Sequence, residues 1–260
     1  MIKTGIDFKK LPDAPGVYRF IGPRQPTFAK ASTRHGEVLY VGKATSLRDR
    51  VKSYFVKDIA EVRSPLIEKI VSDAVSVEVE ETDSVLEALI LEAKLIKKYQ
   101  PIGNTDNKDN KSWSYVVVTN ETFPRVLVAR ERELSTTFGF SGALPETKSS
   151  KLKALFGPFP SAGTLREALK IIRKIFPFFD PPFLLSLDVG RQDKGRRTSL
   201  IGGLTPGQEK TVRFNQSIGL YPQELNEREY RKTIRALVDI FSGNKPALMK
   251  RLEKEMHALA

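Results

Sequence analysis

Residues 36–50 read GEVLYVGKATSLRDR, and the fold of the N-terminal part of the chain follows from this stretch. Its first half, EVLYVG at 37–42, is rich in β-branched and aromatic residues, which is typical of a strand. Its second half predicts a helix over 45–55, because Thr45 or Ser46 can cap the helix and apolar residues recur at helical spacing. The stretch therefore predicts a strand that leads directly into a helix.

The Gly42-Lys43 pair lies between these two elements and raises the question of a phosphate-binding P-loop. That motif needs a second glycine at the position of Glu37 and a Ser or Thr at the position of Ala44. Neither requirement is met. A lysine at the end of this strand therefore needs a different explanation.

Strands and a second helix are predicted on both sides of this stretch. GVYRF at 16–20 and SVEVEE at 76–81 have the composition or the alternation of strands. A helix is predicted over 84–98, where Ser84 and Glu87 form a capping-box pattern. Hairpin-like strands precede helices instead of alternating with them, so the order of elements favours an α+β architecture.

The polar segment 103–112 (GNTDNKDNKS) separates this part from the rest of the chain. We therefore expect two domains, 1–105 and 106–260. In the second, SYVVVT and PRVLVAR predict a strand pair.

The remainder of the second region is predicted to be mainly helical, with two polar interruptions. We expect a Ser-rich loop near 135–151 and a mobile segment at 186–213, where periodicity is weak. Helices are predicted over 164–175 and 226–258, the second of them interrupted at 242–244.

The composition excludes several classes of protein. With 40% hydrophobic and 28% charged residues, the 260-residue chain has the balance of a soluble globular protein. It has no cysteine, which excludes disulfides and thiolate metal sites. No signal peptide or membrane-spanning run is recognisable, so we expect a cytoplasmic location and no membrane partner.

The charge of the chain indicates a polyanionic partner. There are 43 Lys and Arg against 31 Asp and Glu, a net charge of +12. Of this excess, +3 falls in 1–105 and +9 in 106–260. Because such basic domains commonly bind nucleic acid, we expect the second region to attract a phosphate backbone.

Two charged residues fall on predicted core-facing helix positions. Val85, Leu89, Glu92 and Ile96 follow the spacing of a buried seam, where a carboxylate costs several kcal/mol unless it meets a cation or a metal. Arg50 likewise falls on an inward face and needs an anion, for which a phosphate would serve. The alternatives are a Glu92 at the partly exposed rim and an ion pair between Arg50 and an acidic residue such as Glu92.

Taken singly, Tyr18 and Tyr40 are typical core residues. Together with Arg50 and Glu92, however, the motifs G-V-Y and Y-V-G-K resemble the GIY-YIG nuclease family. The resemblance is greatest to the N-terminal part of the UvrC family of bacterial nucleotide excision repair. It extends through the segments LPDAPGVYRF, GEVLYVGKATSLRDRVKSYF, ETDSVLEALILEAKLIKKYQP and FGPFPSAGTLREALKIIRKIFP.

The resemblance implies a fold and a reaction. The fold would be an α+β module with a three-stranded antiparallel sheet flanked by helices, followed by a second, mixed and mainly helical region. The reaction would be metal-dependent hydrolysis of a DNA phosphodiester on the 3′ side of a lesion. The expected partner is damaged double-stranded DNA, alone or bound by UvrB.

The resemblance also implies roles for particular residues. Glu92 would hold one Mg²⁺ or Mn²⁺, and Lys43 and Arg50 would stabilise the charge of the transition state. Gly42 would allow close approach of the backbone. Which tyrosine is the general base stays open. The expected catalytic residues, carried over by motif, are Tyr18, Tyr40, Lys43, Arg50, Tyr54, Glu92 and Asn104.

The chain departs from the family after the FGPF segment. UvrC proteins typically have a four-cysteine site there, consistent with an iron–sulfur centre, and no such cluster is expected in a chain without cysteine. The UvrB-binding hairpin and the RNase H-like domain are also expected to be absent. We expect a replacement contact with DNA phosphates in GRQDKGRR, through Arg191, Lys194, Arg196 and Arg197.

Two alternative functions remain open. A non-catalytic DNA-binding repair subunit would show salt-dependent binding without turnover. A stand-alone, structure-specific GIY-YIG nuclease would cut without UvrB.

Overall fold

A computed structural model describes the chain over residues 8–23, 36–55, 64–105, 113–138, 151–180, 205–223 and 226–250. The chain divides into two compact units, with a boundary between Trp113 and Ser114. Gly157–Pro160 is assigned to the first unit. The assignment of 1–105 and 106–260 as domains stays a prediction.

The first unit is built on a three-stranded antiparallel sheet in the order β2-β1-β3. Its strands are β1 (Gly16–Ile21), β2 (Val38–Ala44) and β3 (Ser76–Glu81). Tyr18, at the centre of β1, lies opposite Gly42 on β2 and Val79 on β3. The three-stranded antiparallel sheet predicted from the sequence is confirmed.

The helices of this unit begin at residues suited to cap them. They are α1 (Leu47–Lys52), α2 (Pro65–Asp73), α3 (Val85–Tyr99) and α4 (Ile102–Thr105). Ser46 caps α1, and Ser84 caps α3 by accepting the N–H of Glu87. The Glu87 carboxylate accepts the N–H of Asp83 rather than that of Ser84, so the predicted capping box is only half formed.

Helices cover both faces of this sheet, which is why most of β1 is buried. Tyr18 and Phe20 pack with residues of α1 and α2 in one cluster, and Val17 and Ile21 pack with residues of α3 in another. The buried seam of α3 includes Glu92 as predicted. It does not include Val85, which is 40% exposed because the buried surface of α3 begins only at Ala88.

The second unit contains another three-stranded sheet, in the order β5-β4-β6, with helices around it. This agrees with the predicted mixed and mainly helical region. The strands are β4 (Ser114–Thr119), β5 (Val126–Arg130) and β6 (Leu152–Phe159), of which residues 157–159 fall in the range assigned to the first unit. The helices are α5 (Glu131–Phe138), α6 (Ala162–Ile175), α7 (Pro206–Ser217) and α8 (Glu227–Ser242).

Two predicted loops of the second region are wrong in part. Helix α5 extends into the loop expected at 135–151. Strand β6 begins directly after that loop, although β6 contains a Gly-Pro pair, which is unusual in a strand. Helix α7 begins inside the segment expected to be mobile at 186–213, because Thr205 and Gln208 form a complete capping box. The predicted interruption at 242–244 is confirmed, since α8 ends at Ser242 and the capping residue Gly243 lies in the left-handed region.

None of the helices in the part of the chain that the structure describes is long and apolar enough to cross a membrane.

Candidate active site

The centre of the site is formed where β1 and β2 pair. Tyr18 and Gly42 face each other there, and a Cβ atom at Gly42 would lie 2.3 Å from the Tyr18 hydroxyl oxygen. Real Cβ contacts are never that short, so position 42 must be glycine for the tyrosine to lie across β2. This close approach, rather than a phosphate-binding loop, explains Gly42.

Three tyrosines surround this point. The ring centroid of Tyr18 lies 5.7 Å from that of Tyr54 and 6.2 Å from that of Tyr40, and the Tyr18 and Tyr54 hydroxyl oxygens are 2.6 Å apart. Tyr18 and Tyr54 are fully buried, whereas Tyr40 is partly exposed. Phe20 packs edge-on against Tyr54 and supports the cluster from the core.

The pKa of Tyr18 and that of Tyr40 are raised, first by burial and then by the neighbouring tyrosines. The negative charge of Glu92 also raises the pKa of Tyr40, while Arg50 lowers the pKa of both residues. Both hydroxyls are therefore protonated at neutral pH and can donate hydrogen bonds.

Arg50 reaches this cluster from the last turn of α1. Its Nε donates a hydrogen bond to the Tyr18 hydroxyl over 3.3 Å, and its guanidinium carbon lies 5.5 Å from the centre of the Tyr54 ring. The side chain is half-buried, and the described residues give it no ion pair with Glu92. The tyrosines thus hold the guanidinium while leaving its charge without a counter-ion in the described part of the chain.

Glu92 lies on α3 and is 5% exposed. Its Oε1 accepts the backbone N–H of Lys43 over 3.0 Å, whereas its Oε2 is buried and has no hydrogen-bond partner among the described residues. Burial raises the pKa of Glu92 to about 7, against the opposing effects of Lys43 and Arg50. An unpaired carboxylate oxygen in a buried position is costly and is well suited to bind a cation.

The donor set fits one hard divalent cation. Within the described ranges there is no group of three or more His, Cys, Asp or Glu residues that could hold a metal ion. A cation held by Glu92 alone would take its other oxygen ligands from water and substrate, as Mg²⁺ commonly does. The orphaned Oε2 atom thus matches a magnesium-like ion better than a zinc-like one.

Asn104, on α4, is tied to the middle of β2. Its Oδ1 accepts the N–H of Val41 over 2.8 Å, and its Nδ2 donates to the carbonyl of Val41 over 2.9 Å. The amide group therefore pairs with β2 as a neighbouring strand would. Since Val41 lies between Tyr40 and Gly42, these two bonds fix the part of β2 that carries the site.

Gly103 is a site-forming residue that the sequence analysis missed. A Cβ atom there would lie 2.3 Å from Cδ1 of Ile70, 2.8 Å from the carbonyl oxygen of Leu39 and 3.1 Å from the Tyr40 ring. Only glycine lets α4 approach β2 this closely. The one available signal was its place directly before Asn104 in the sequence.

The sequence comparisons agree with this geometry. The pattern of the UvrC-like GIY-YIG domain matches residues 14–105. The UvrABC system protein C of Acetivibrio thermocellus is 32% identical over 98% of this chain, and that of Carboxydothermus hydrogenoformans is 34% identical over 95%. This chain belongs to the UvrC family. It spans about a third of the length of these relatives, 34% and 33% respectively.

A solved UvrC domain is also similar in sequence. It is the GIY-YIG N-terminal endonuclease domain of UvrC from Thermotoga maritima, in a crystal structure bound to its catalytic divalent cation, magnesium. It is 31% identical to this chain, and the match covers 38% of this chain and 91% of that domain, with a TM-score of 0.29.

All eight positions expected from the GIY-YIG resemblance lie in the first unit. Tyr18, Tyr40, Tyr54, Arg50 and Gly42 contact or adjoin one another, while Lys43 is connected to Glu92 and Asn104 to Val41. Their chemical roles stay predictions. The expected DNA contacts at Arg191, Lys194, Arg196 and Arg197 lie outside the described residues.

Proposed function

We propose that this chain is a metal-dependent DNA endonuclease that hydrolyses a phosphodiester bond. The observation that carries the proposal is the buried carboxylate of Glu92, beside three tyrosines and a guanidinium. Lys43 holds one of its oxygens, and no described residue gives the other a hydrogen bond. Such an arrangement supplies a cation site, hydroxyl groups and fixed positive charge. These groups can activate a water and neutralise the charge on the phosphoryl oxygens, as phosphodiester hydrolysis requires.

Glu92 would hold Mg²⁺ or Mn²⁺ through Oε2. When bound, the cation would draw electron density from the phosphate and neutralise its charge. The backbone N–H of Lys43 keeps Oε1 in place, so the carboxylate does not need to reorient on binding. No iron–sulfur cluster held by cysteine is part of the proposal, because the chain has no cysteine.

Tyr40 is the hydroxyl that we assign to the attacking water. Tyr18 and Tyr54 are fully buried and bonded to each other, and Tyr18 also accepts the Arg50 Nε–H. Tyr40 also interacts with the side chain of Tyr54, but it is partly exposed. The hydroxyl of Tyr40 would orient the water. Once a cation near Glu92 lowers the raised pKa of this tyrosine, the hydroxyl would release its proton to solvent, and the resulting phenolate would take the proton of the water. Tyr18 and Tyr54 would then position Arg50.

Lys43 and Arg50 would bind the phosphate whose bond is cut. Arg50 presents a planar set of N–H donors that matches phosphate oxygens, and its charge has no ion-pair partner among the described residues. Positive charge fixed before the reaction stabilises the negative charge that develops in the transition state. Asn104 would act indirectly, by holding β2.

The proposed biological role of the chain is inferred from the relatives named above. As their name assigns them to the UvrABC system, we propose that the chain acts on damaged double-stranded DNA in nucleotide excision repair, with DNA bound by UvrB as a partner complex. The cut assigned to the GIY-YIG module is the one on the 3′ side of the lesion.

The test is incision of a labelled duplex that carries one bulky lesion, in Mg²⁺, Mn²⁺ or EDTA, with and without UvrA and UvrB. We expect a single cut 3′ to the lesion that needs the cation. Cutting that is independent of UvrA and UvrB and favours a flap or nick would support the stand-alone nuclease instead. Salt-dependent binding without cutting under any condition would support the non-catalytic subunit.

A further inference from the structure

Three exposed basic side chains of the second unit lie on β6 and α8, two elements that a pair of stacked rings joins. We call Lys153, Arg231 and Arg235 the basic cluster. The stacked rings of Phe156 and Phe241, with centroids 5.6 Å apart, join the strand to the helix. All three basic residues are exposed, and the two arginines lie one helical turn apart on α8.

The positive charge of this cluster is largely uncompensated. Of its members only Arg231 has an ion pair in the described part of the chain, with Glu227 over 2.7 Å. The other acidic residue in the first turn of α8, Glu229, is paired with Lys232 over 2.9 Å. Arg235 uses its Nε to donate to the carbonyl oxygen of Arg231, and no described acidic residue forms an ion pair with it.

The charges of Arg231 and Arg235 act on Lys153. The pKa of Lys153 is lowered, first by partial burial and then by the charges of Arg231 and Arg235. Holding like charges together disfavours the free protein, and an anion that binds between them removes this penalty. The ammonium and guanidinium groups are the donors that proteins use to contact phosphate.

We propose that the basic cluster binds the phosphate backbone of double-stranded DNA. The inference rests on the proposed function and gives it a second contact with the substrate, made by residues outside the candidate active site. A backbone contact carries no sequence information, so it would serve a protein whose substrate is defined by damage. The +9 charge of residues 106–260 favours the same partner.

The test is the salt dependence of duplex binding by the full chain, measured by fluorescence anisotropy in EDTA so that no cleavage occurs. Each lost phosphate contact lowers the slope of log K against log salt concentration by about 0.9. We therefore expect Lys153→Gln to lower it by about 1 and the triple change K153Q/R231Q/R235Q by about 2 to 3. The matched control is Lys232→Gln, which removes one positive charge from the same helix, at an ion-paired position, and should leave the slope unchanged.

A triple variant that melts like the parent chain but keeps the parent slope would overturn the inference. An equal loss of slope in Lys232→Gln would do the same, because net charge alone would then explain the binding. If the chain cuts no DNA in Mg²⁺ but the cluster variants lower the slope as expected, the proposed nuclease activity fails while this inference stands.

Discussion

A buried carboxylate with one unpaired oxygen is the least expected residue in this chain. Glu92 occupies a position on α3 where the apolar periodicity predicts a core residue, and this conflict already singled it out in the sequence. The sequence could not show that the two oxygens of this carboxylate have different surroundings. That depends on the N–H of Lys43, which is distant in sequence and is brought close only by the fold.

The burial of Glu92 predicts a pH dependence of stability without metal. Its pKa is about 7 in the folded chain against an ordinary value of 4.5, so between these values the folded chain binds a proton that the unfolded chain releases. In EDTA, this residue should therefore lower the free energy of unfolding by up to about 3 kcal/mol as the pH rises from 4.5 to 7. Denaturant unfolding of the wild type and Glu92→Gln at pH 5 and pH 8 measures the difference. Parallel pH profiles of the two proteins would contradict the assignment.

The close approach of Tyr18 to Gly42 predicts that even one methyl group at position 42 would clash. Gly42→Ala places a methyl group 2.3 Å from the Tyr18 hydroxyl oxygen, which must displace the tyrosine or β2. We expect a loss of about 1 to 3 kcal/mol in stability, together with loss of cleavage. Gly207→Ala is the matched control, because a Cβ atom at Gly207 meets nothing within 4 Å. Equal thermal melting of both variants would show that the close approach is not needed.

At the scale of elements, the sequence analysis predicted β1 to β3 and α3, but it missed helices with a local signal, such as α2 with its capping residue Ser64, as well as one defined by packing. The strands β1 to β3 and helix α3 were predicted because composition, alternation and capping agree. Helices α2 and α4 were not predicted. Helix α4 is a single turn, and it is defined by the contacts of Gly103 and Asn104 with β2 rather than by a local pattern.

The two hydrogen bonds between Asn104 and Val41 predict that α4 supports the site by holding β2 in place. Asn104→Ala removes two buried hydrogen bonds to Val41 and should cost about 2 to 3 kcal/mol in stability. Asn104→Asp keeps the acceptor for the Val41 N–H but replaces the donor with a buried, charged oxygen that faces the Val41 carbonyl, so it should be at least as destabilising as alanine at neutral pH. A variant that is as stable as wild type but inactive would instead indicate a direct chemical role for this amide.

In the second unit, Tyr230 connects three segments of the chain. Its hydroxyl donates to the carbonyl of Pro124 and accepts the N–H of Phe179 over 3.1 Å. Tyr230→Phe leaves both buried groups without their partner and should cost about 1 to 3 kcal/mol. Tyr115→Phe is the control, since the described residues offer its hydroxyl no hydrogen bond. Similar melting temperatures for the two variants would contradict this role of Tyr230.

At the scale of the whole molecule, the motifs and the charge distribution of the sequence led to two different predictions. Local motifs gave the residues of the site, and the charge distribution gave the region expected to attract DNA. The basic cluster was not visible in the sequence, because Lys153 and Arg235 are far apart along the chain. The sequence instead favoured Arg191, Lys194, Arg196 and Arg197, which lie within one short run.

The central claim is that Glu92 and the groups around it form a cation-dependent centre for phosphodiester hydrolysis. The most direct test is the single-turnover cleavage rate of a labelled duplex in Mn²⁺, measured for wild type and Glu92→Gln under identical conditions. Since this substitution keeps the size of the side chain but removes the charge that would bind the cation, we expect the rate to fall by a factor on the order of 10³ or more. Cleavage by the variant at the wild-type rate would contradict the claim.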